Sequence, residues 1–519
     1  MAVIEIQAYM QLFFILLLST IVVQAILTRK KNKGHHPPSP HILPIVGHLH
    51  LISKLPHQSF HKLLTSYGPI VKLFLGSVPC VVASTPEIAK EFLKTHESCF
   101  SNRVRNPAIH YLSYGSKGFL FAPYGGYWKF MKKVCMSELL GSKTLHQHLP
   151  LRQQETLRFL RVLKNKGEAG ATVDVGSELL TLTNCVITRM TMSIVCSGND
   201  GKDVDDIRKM VTDTAELVGK FHVLDFFRFF KNWDFHGRYK KLKEIRDKFD
   251  TIMERVIKEH EVERKERGDD GAQIRDLLDI LLEIHEDEST KIKLSRDNIK
   301  AFIMDIFMAG TDSSAVTIEW AMAELINHPQ VMERARQEID SVTGNKRLVQ
   351  ESDLLNLPYI RAIVKESLRI HPTLPLIGRR STESCNVGGY DIPAKCPLFV
   401  NLWSMGRDPN VWENPLEFKP ERFMSEEMKK FDVRGQNFKL MPFGTGRRVC
   451  PGASLALLVV PTNLAAMIQC FEWKVLHGER NGIVNMEEKP AISLPRAHPL
   501  ICALMPRSVS KILVQESIV

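Results

Sequence analysis

A chain of 519 residues that is 44% hydrophobic has apolar material for a large core. Its 69 basic and 58 acidic residues leave a formal charge of +11, which suits an acidic partner or an anionic membrane surface. Neither an aromatic-and-basic RNA-reading motif nor zinc-finger spacing accompanies that charge, which sets nucleic acid aside.

In chain order, residues 8–27 come first and are largely apolar, about the ~20 residues needed to cross a bilayer. A cleaved signal peptide competes, with Val23-Gln24-Ala25 as a passable cleavage site. It wants positive charge ahead of its apolar core, however, and only Glu5 precedes this one. Arg29, Lys30, Lys31 and Lys33 follow instead and place residue 29 onward on the cytoplasmic side. The predicted layout is a transmembrane anchor over 1–28, a basic cluster and stiff proline-rich hinge over 29–47 (Pro37, Pro38, Pro40, Pro44), and one catalytic body over 48–519.

Within the body, Val71–Leu75 and Cys80–Ala83 flank Gly76-Ser77 and predict a hairpin. Ser295 is a good N-cap and Pro329 a stop, so one helix of roughly 33 residues, about 50 Å, is predicted between them. Its middle reads Ala309-Gly310-Thr311-Asp312-Ser313-Ser314; the small residues let a flat ligand lie against the backbone, and the hydroxyls can open a helical hydrogen bond. A tolerated glycine in an ordinary helix is the plainer alternative. Glu366 and Arg369 form an i,i+3 pair that is worth a few tenths of a kcal/mol if it is only a surface pair. Gly388-Gly389-Tyr390, Ile392-Pro393 and Leu398–Asn401 predict a second small sheet. Asp269-Asp270-Gly271 predicts a surface loop, and no repeat or internal linker is visible. The fold class is mainly α with minor β.

The decisive segment is Phe443-Gly444-Thr445-Gly446-Arg447-Arg448-Val449-Cys450-Pro451-Gly452. A cysteine thiolate is an axial haem ligand that favours O–O cleavage. Gly444, Gly446 and Gly452 allow tight turns and close approach to a flat macrocycle. Pro451 fixes the chain where a helix can begin near Ala453, and amides at a helix start stabilise a sulfur anion. Arg448 is a fixed cation suited to a propionate. A buried, inert cysteine is the bland alternative. The ten cysteines include no C-x-x-C pair, so a zinc knuckle and a disulfide framework are unsupported, and mostly reduced thiols are the simpler reading. A Walker loop and H-E-x-x-H are missing, and Val449 fills the last glycine position of the G-x-G-x-x-G that Gly444-Thr445-Gly446 begins, which leaves no dinucleotide site in evidence.

This segment resembles the haem-binding signature of the cytochrome P-450 family, and Ala309–Ser314 resembles that family's oxygen-activation motif. The resemblance implies a single haem-thiolate monooxygenase domain carrying haem b on Cys450, with Phe443, Gly446, Arg448 and Gly452 around it. It makes Asp312 and Ser313 a proton-delivery relay, with Ser313 where the family usually has threonine. It makes Glu366, Arg369 and Arg422 (within Pro420-Glu421-Arg422-Phe423) a buried structural network. Trp128 and Lys132 resemble a W-x-x-x-R propionate helix with lysine in place of arginine, and Arg379 resembles the other propionate ligand, with Arg380 where an acidic residue is expected. Lys129 and Lys133 suit either a reductase-docking face or a merely solvated one.

Leu73–Ser84, Tyr127–Lys133 and Asn298–Phe307 are similar to the plant microsomal subgroup that oxidises flavonoids and isoflavonoids, nearest its dihydroxypterocarpan 6a-monooxygenases. By position, Phe302, Asp305, Ile306, Ala309, Leu376, Ile377, Ile492 and Ser493 line the implied substrate pocket, with core packing as the alternative for the aliphatic ones. Phe226, Phe227, Phe229 and Phe230 match the membrane-facing entrance or a buried helix edge. The implied function is hydroxylation of a small apolar polycycle at the endoplasmic reticulum membrane, single-pass with the body cytosolic, using NADPH electrons delivered by NADPH-cytochrome P-450 reductase. A triterpenoid substrate and flavone synthase-type desaturation remain open. A haem-thiolate isomerase or dehydratase and a haem sensor are the rival classes.

Overall fold

The computed structural model describes residues 9–16, 18–20, 23 and 35–515, except 105, 196–200, 220–236, 268–274, 345, 430 and 476–481. The four entrance phenylalanines, the basic cluster and the 269–271 loop lie outside the described residues. The helices that shape the interior are α1 (Gly126–Val134), α2 (Leu149–Glu168), α3 (Val175–Met192), α4 (Gly201–Gly219), α5 (Arg238–Arg267), α6 (Arg296–Gly310), α7 (Asp312–Asn327), α8 (Pro329–Thr343), α9 (Pro358–Ile370) and α10 (Ala453–Cys470).

Among the described residues three small sheets flank them. β1 (Ile70–Leu75) and β2 (Val78–Ala83) form the predicted hairpin in register Ile70↔Ala83 to Leu75↔Val78, with Gly76 at φ +58. Leu73 and Val71 are buried at its inner face. β3 is Val173–Asp174 and β4 is Leu376–Arg380. β5 (Cys385–Val387) and β6 (Tyr390–Ile392) pair around Gly388 and Gly389, both at positive φ, as a two-residue hairpin turn requires. The expected single second sheet does not form. β7 (Pro397–Asn401) leaves that hairpin and runs parallel to β2 and antiparallel to β4, giving the order β1-β2-β7-β4. A parallel pairing across some 315 residues leaves no local mark in sequence. β8 (Phe471–Val475) and β9 (Ile501–Pro506) join β3 in the second sheet.

The long central helix is broken. Ser295 does cap it, in a reciprocal capping box with Asn298, but α6 ends at Gly310 and α7 starts at Asp312. Ser313 Oγ donates to the Ala309 carbonyl at 2.7 Å, the side-chain bond that opens a helix at such a point. Both halves lie in the core: α7 packs on α3 and α10, and Trp320 stacks on His371 with 4.1 Å between ring centroids. The helical segments Arg296–Asn327, which α6 and α7 make up together, and Ala453–Cys470 are long and apolar enough to cross a membrane, yet they are mostly buried inside the body. Among the described residues eight cysteines are free and Cys185 is disulfide-bonded, so the thiols there are mostly but not wholly reduced.

Residues 487–497 fold into a hairpin, through Lys489 N–H to Pro495 O at 2.9 Å and Ala497 N–H to Glu487 O at 2.8 Å. Its base is fastened by Glu488, which accepts from His57 Nε2 at 2.8 Å, Gln58 Nε2 at 2.7 Å and Trp403 Nε1 at 2.6 Å. Burial pushes the Glu488 carboxyl up, but these donors outweigh it and hold the group at about 2, below its ordinary 4.5. A depressed carboxylate stabilises the fold above its unfolded pKa, and that contribution disappears as pH falls through the folded value. Glu488→Gln is therefore expected to cost roughly 3 kcal/mol at pH 7. Thermal unfolding of the two proteins, well separated at pH 7, is expected to converge between pH 4.5 and 2.

Candidate active site

Cys450 sits at the end of a loop that bends back on itself. Its N–H donates to the Phe443 carbonyl at 2.9 Å, and Gly444 and Gly446 both adopt φ +70. A Cβ on Gly446 would come within 3.1 Å of Leu93 O and would also collide with the Glu97 carboxylate, so only glycine fits. The backbone N–H groups of Gly452 and Ala453, at the start of α10, point at the sulfur. Burial raises the thiol pKa, and these amides together with Arg103 oppose it. Burial prevails and the thiol stays above its ordinary value, while the two amides and Arg103 are placed where they would stabilise a sulfur anion at the helix start.

The surroundings carry unbalanced positive charge. Arg448 is buried, donating to Ser101 O at 2.8 Å, Ala122 O at 2.6 Å and Phe119 O at 3.4 Å, with its guanidinium 4.4 Å from the Trp128 ring centroid. Burial and then Arg103 lower it to about 9. Arg379 on β4 is 3% exposed, donates among the described residues to its neighbour Gly378 O at 3.1 Å, and is driven well down by burial, then by Arg103 and Arg448. Arg103 Nε and Trp128 Nε1 are buried with no hydrogen-bond partner among the described residues. Lys132, one turn along α1 from Trp128, donates to Arg447 O at 2.8 Å and lies over the same indole. Buried guanidinium groups that depress one another, beside orphaned donors, are a site for a ligand bearing more than one negative charge.

The broken helix faces this cluster. From residue 299 to 325 Ala309 alone is exposed, in the middle of a helix otherwise in the core, so it borders open space. A Cβ on Gly310 would come 2.7 Å from Ile187 Cδ1, which ties the glycine to close packing on α3. Thr311 is buried and reaches Asn184 Oδ1 at 3.4 Å, while Ser313 keeps its proton on Ala309 O. Asp312 accepts from Ser493 Oγ, and burial pushes its carboxyl up to about 6.

The other residues assigned to the pocket by position divide. Leu376 and Ile492 are half-buried, whereas Phe302, Ile306 and Ile377 are buried. Phe302 meets Phe119 edge-on with centroids 5.7 Å apart. Asp305 is 3% exposed and accepts from Phe119 N–H at 2.7 Å and Leu120 N–H at 2.8 Å, so it fastens the 118–120 loop to α6. Burial raises it to about 6 against those amides and Arg103.

Behind the cysteine loop, Glu366 on α9 receives Arg369 Nε and Nη2, both at 2.8 Å, Arg422 Nε at 2.8 Å and Lys419 N–H at 2.9 Å. The two guanidinium groups also bind the carbonyls of Gly406, Glu413, Pro415 and Glu417. A stretch of irregular chain is thereby tied to one helix. Sequence reasoning missed Arg103, Glu97 and the Asp312–Ser493 bond. A lone cation in a loop carries no periodic signal, and a contact between positions 181 apart carries none either.

The sequence profile of the cytochrome P450 family matches residues 37–503. The chain belongs to the cytochrome P450 family. It is 58% identical over 497 residues to cytochrome P450 93A3 of Glycine max, covering 95% of this chain and 97% of that one. It is 58% identical over 502 residues to 3,9-dihydroxypterocarpan 6A-monooxygenase of Glycine max, covering 96% and 98%. A solved zebra fish cytochrome P450 with abiraterone superposes with TM-score 0.71 at 24% identity, over 87% of this chain and all of that one, and so shares the fold. The family's haem, whose two propionates are anionic, fits the orphaned donors and unbalanced guanidiniums around Cys450.

Glu366→Ala leaves the two guanidinium groups buried without their carboxylate, at a cost of ~3–5 kcal/mol. Expression of that variant is expected to yield protein without pigment, read by absorbance; pigment at wild-type yield would contradict the buried-charge account.

Proposed function

We propose that this protein is a membrane-anchored monooxygenase that hydroxylates a pterocarpan or a related flavonoid or isoflavonoid. The observation that carries the substrate class is 58% identity, over nearly the whole of both chains, to a protein named for pterocarpan hydroxylation. Cys450 would hold the haem iron, and Arg379, Arg448, Lys132, Arg103 and Trp128 Nε1 would offer positive charge and donors to its propionates. Haem bound there activates dioxygen so that one oxygen atom is inserted into the substrate.

The residues of the chain supply position and protons. Burial raises the Asp312 carboxyl to about 6, close enough to neutral pH for it to take up and give off a proton in turn. Ser313 Oγ, now donating to Ala309 O, rotates to pass a proton into the space beside Ala309. Ala309, Leu376 and Ile492 present apolar surface to a flat polycycle. Electrons come from NADPH through NADPH-cytochrome P450 reductase, in keeping with the lack of a dinucleotide motif. The apolar helix Tyr9–Thr20 exposes Leu12, Phe13 and Ile15, as an anchor in the endoplasmic reticulum membrane requires.

Microsomes supplemented with reductase and given flavanone, pterocarpan and β-amyrin panels are expected to yield a hydroxylated phenolic polycycle by mass spectrometry. Oxidation confined to the triterpenoid would overturn the substrate class, and turnover without NADPH would point to an isomerase. Cys450→Ser is expected to abolish the carbon monoxide difference band together with activity. Ser313→Thr, which adds the methyl that the family usually carries, is expected to raise product formed per NADPH consumed.

A further inference from the structure

Two turns beyond Asp312, α7 carries a second buried carboxyl that none of these roles uses. Glu319 is 8% exposed and lies seven positions after Asp312, on the same helical face. The returning arm of the 487–497 hairpin runs beside that face as a strap. Ser493 Oγ donates to Asp312 Oδ2, Trp320 Nε1 donates to Leu494 O at 2.7 Å, Leu494 N–H donates to Thr373 O at 2.9 Å, and Arg496 Nε stands 3.8 Å from Glu319 Oε1. Three residues of extended chain and seven of helix both rise about 10 Å. The strap therefore meets the two carboxyls in step.

A static ion pair accounts for this geometry poorly. A charge-assisted hydrogen bond closes to about 2.7–2.9 Å. Arg496 Nε stays 3.8 Å from Glu319 and instead donates to His498 O at 3.3 Å. Burial raises the Glu319 carboxyl to about 7; Arg496 and the Leu500 N–H oppose the shift, and Asp174 and Asp312 add to it. Those groups and Cys502 on β9 are the charged or titratable ones that face it from the strap, from the chain ahead of α3, from its own helix and from the sheet. Gly176 on α3 makes the room: a Cβ there would come 2.9 Å from Glu319 Oε2.

We propose that Glu319 holds the proton that recharges Asp312 each time Asp312 gives one up, an inference that rests on the reading of Asp312 as a proton carrier. The proton leaves a Glu319 carboxyl oxygen and crosses by water to Ser493 Oγ, which accepts it while passing its own hydrogen to Asp312 Oδ2. The carboxylate left behind faces Arg496, which stabilises its charge, and solvent water returns a proton to it. One proton moves and no electron does. Glu319 touches neither substrate nor haem; it acts through Asp312.

Glu319→Gln keeps the shape and the acceptor for Leu500 N–H. In the resting protein, infrared titration is expected to show a protonated-carboxyl carbonyl band that fades as pH rises through about 7 and that Glu319→Gln removes. In turnover, the same variant is expected to lower coupled product formation by about tenfold and to enlarge the solvent deuterium isotope effect. Ser493→Ala, which leaves the Glu319–Arg496 pair in place, is expected to enlarge the isotope effect likewise. Wild-type coupling and isotope effect in both variants would overturn the proposal while Asp312→Asn remained impaired. Wild-type coupling in Asp312→Asn would overturn the underlying reading as well.

Discussion

Buried positive charge around one sulfur is the constraint on which the rest of this structure depends. Arg103 and Arg448 depress Arg379, Arg103 depresses Arg448, and burial lowers Arg103 itself against the opposing pull of Cys450 and Asp305. Taking such ions from water is costly unless counter-charges arrive with them. An anionic ligand that enters this space stabilises the folded state by mass action, which couples haem retention to folding. The loops that carry these groups, 101–104, 118–125 and 443–450, have little regular structure of their own. They are fixed by bonds that the guanidinium groups make to backbone carbonyls, as Arg448 does to Ser101, Phe119 and Ala122.

That cluster needs a rigid frame on each side. Behind it, Glu366 gathers Arg369, Arg422 and the Lys419 N–H, and so ties the irregular stretch from 406 to 422 to α9. In front, Asp305 anchors the Phe119 and Leu120 amides to α6. One turn further on, Ser313 captures Ala309 O and the helix breaks at Thr311. Because the break falls where the helix borders open space, the side chains of Asp312 and Ser313 diverge. One turns toward Ser493, and the other stays on Ala309 O.

The sequence made the chemistry legible and left the long-range geometry hidden. Glycine spacing around Cys450, the N-cap at Ser295 and the Gly76-Ser77 turn are local signals with local causes, and they appear where the sequence put them. The departure of β7 from the β5–β6 hairpin is not local, since it is decided by a parallel pairing with β2. Asp305 looked like a pocket residue because it lies one turn before Ala309. Its carboxylate is instead claimed by two amides 185 and 186 positions away, a demand that periodicity cannot register. Arg103 escaped for a simpler reason: a single arginine in a loop reads as surface until burial shows that it has no partner at Nε.

The 487–497 hairpin links these two levels. At its base Glu488 is fixed by three donors from the chain near residue 57 and from Trp403, beside the four-stranded sheet. At its tip Ile492 N–H donates to Ala215 O at 3.2 Å, and the backbone at 491–492 packs so closely on Gly219 that no Cβ fits there. Between the two, Ser493 meets Asp312 and Arg496 faces Glu319. A strap held at both ends transmits displacement instead of absorbing it, because a densely packed interior has little free volume in which to relax. The position of the Ser493 hydroxyl against the Asp312 carboxylate is therefore set jointly by the sheet at one end and by α4 at the other.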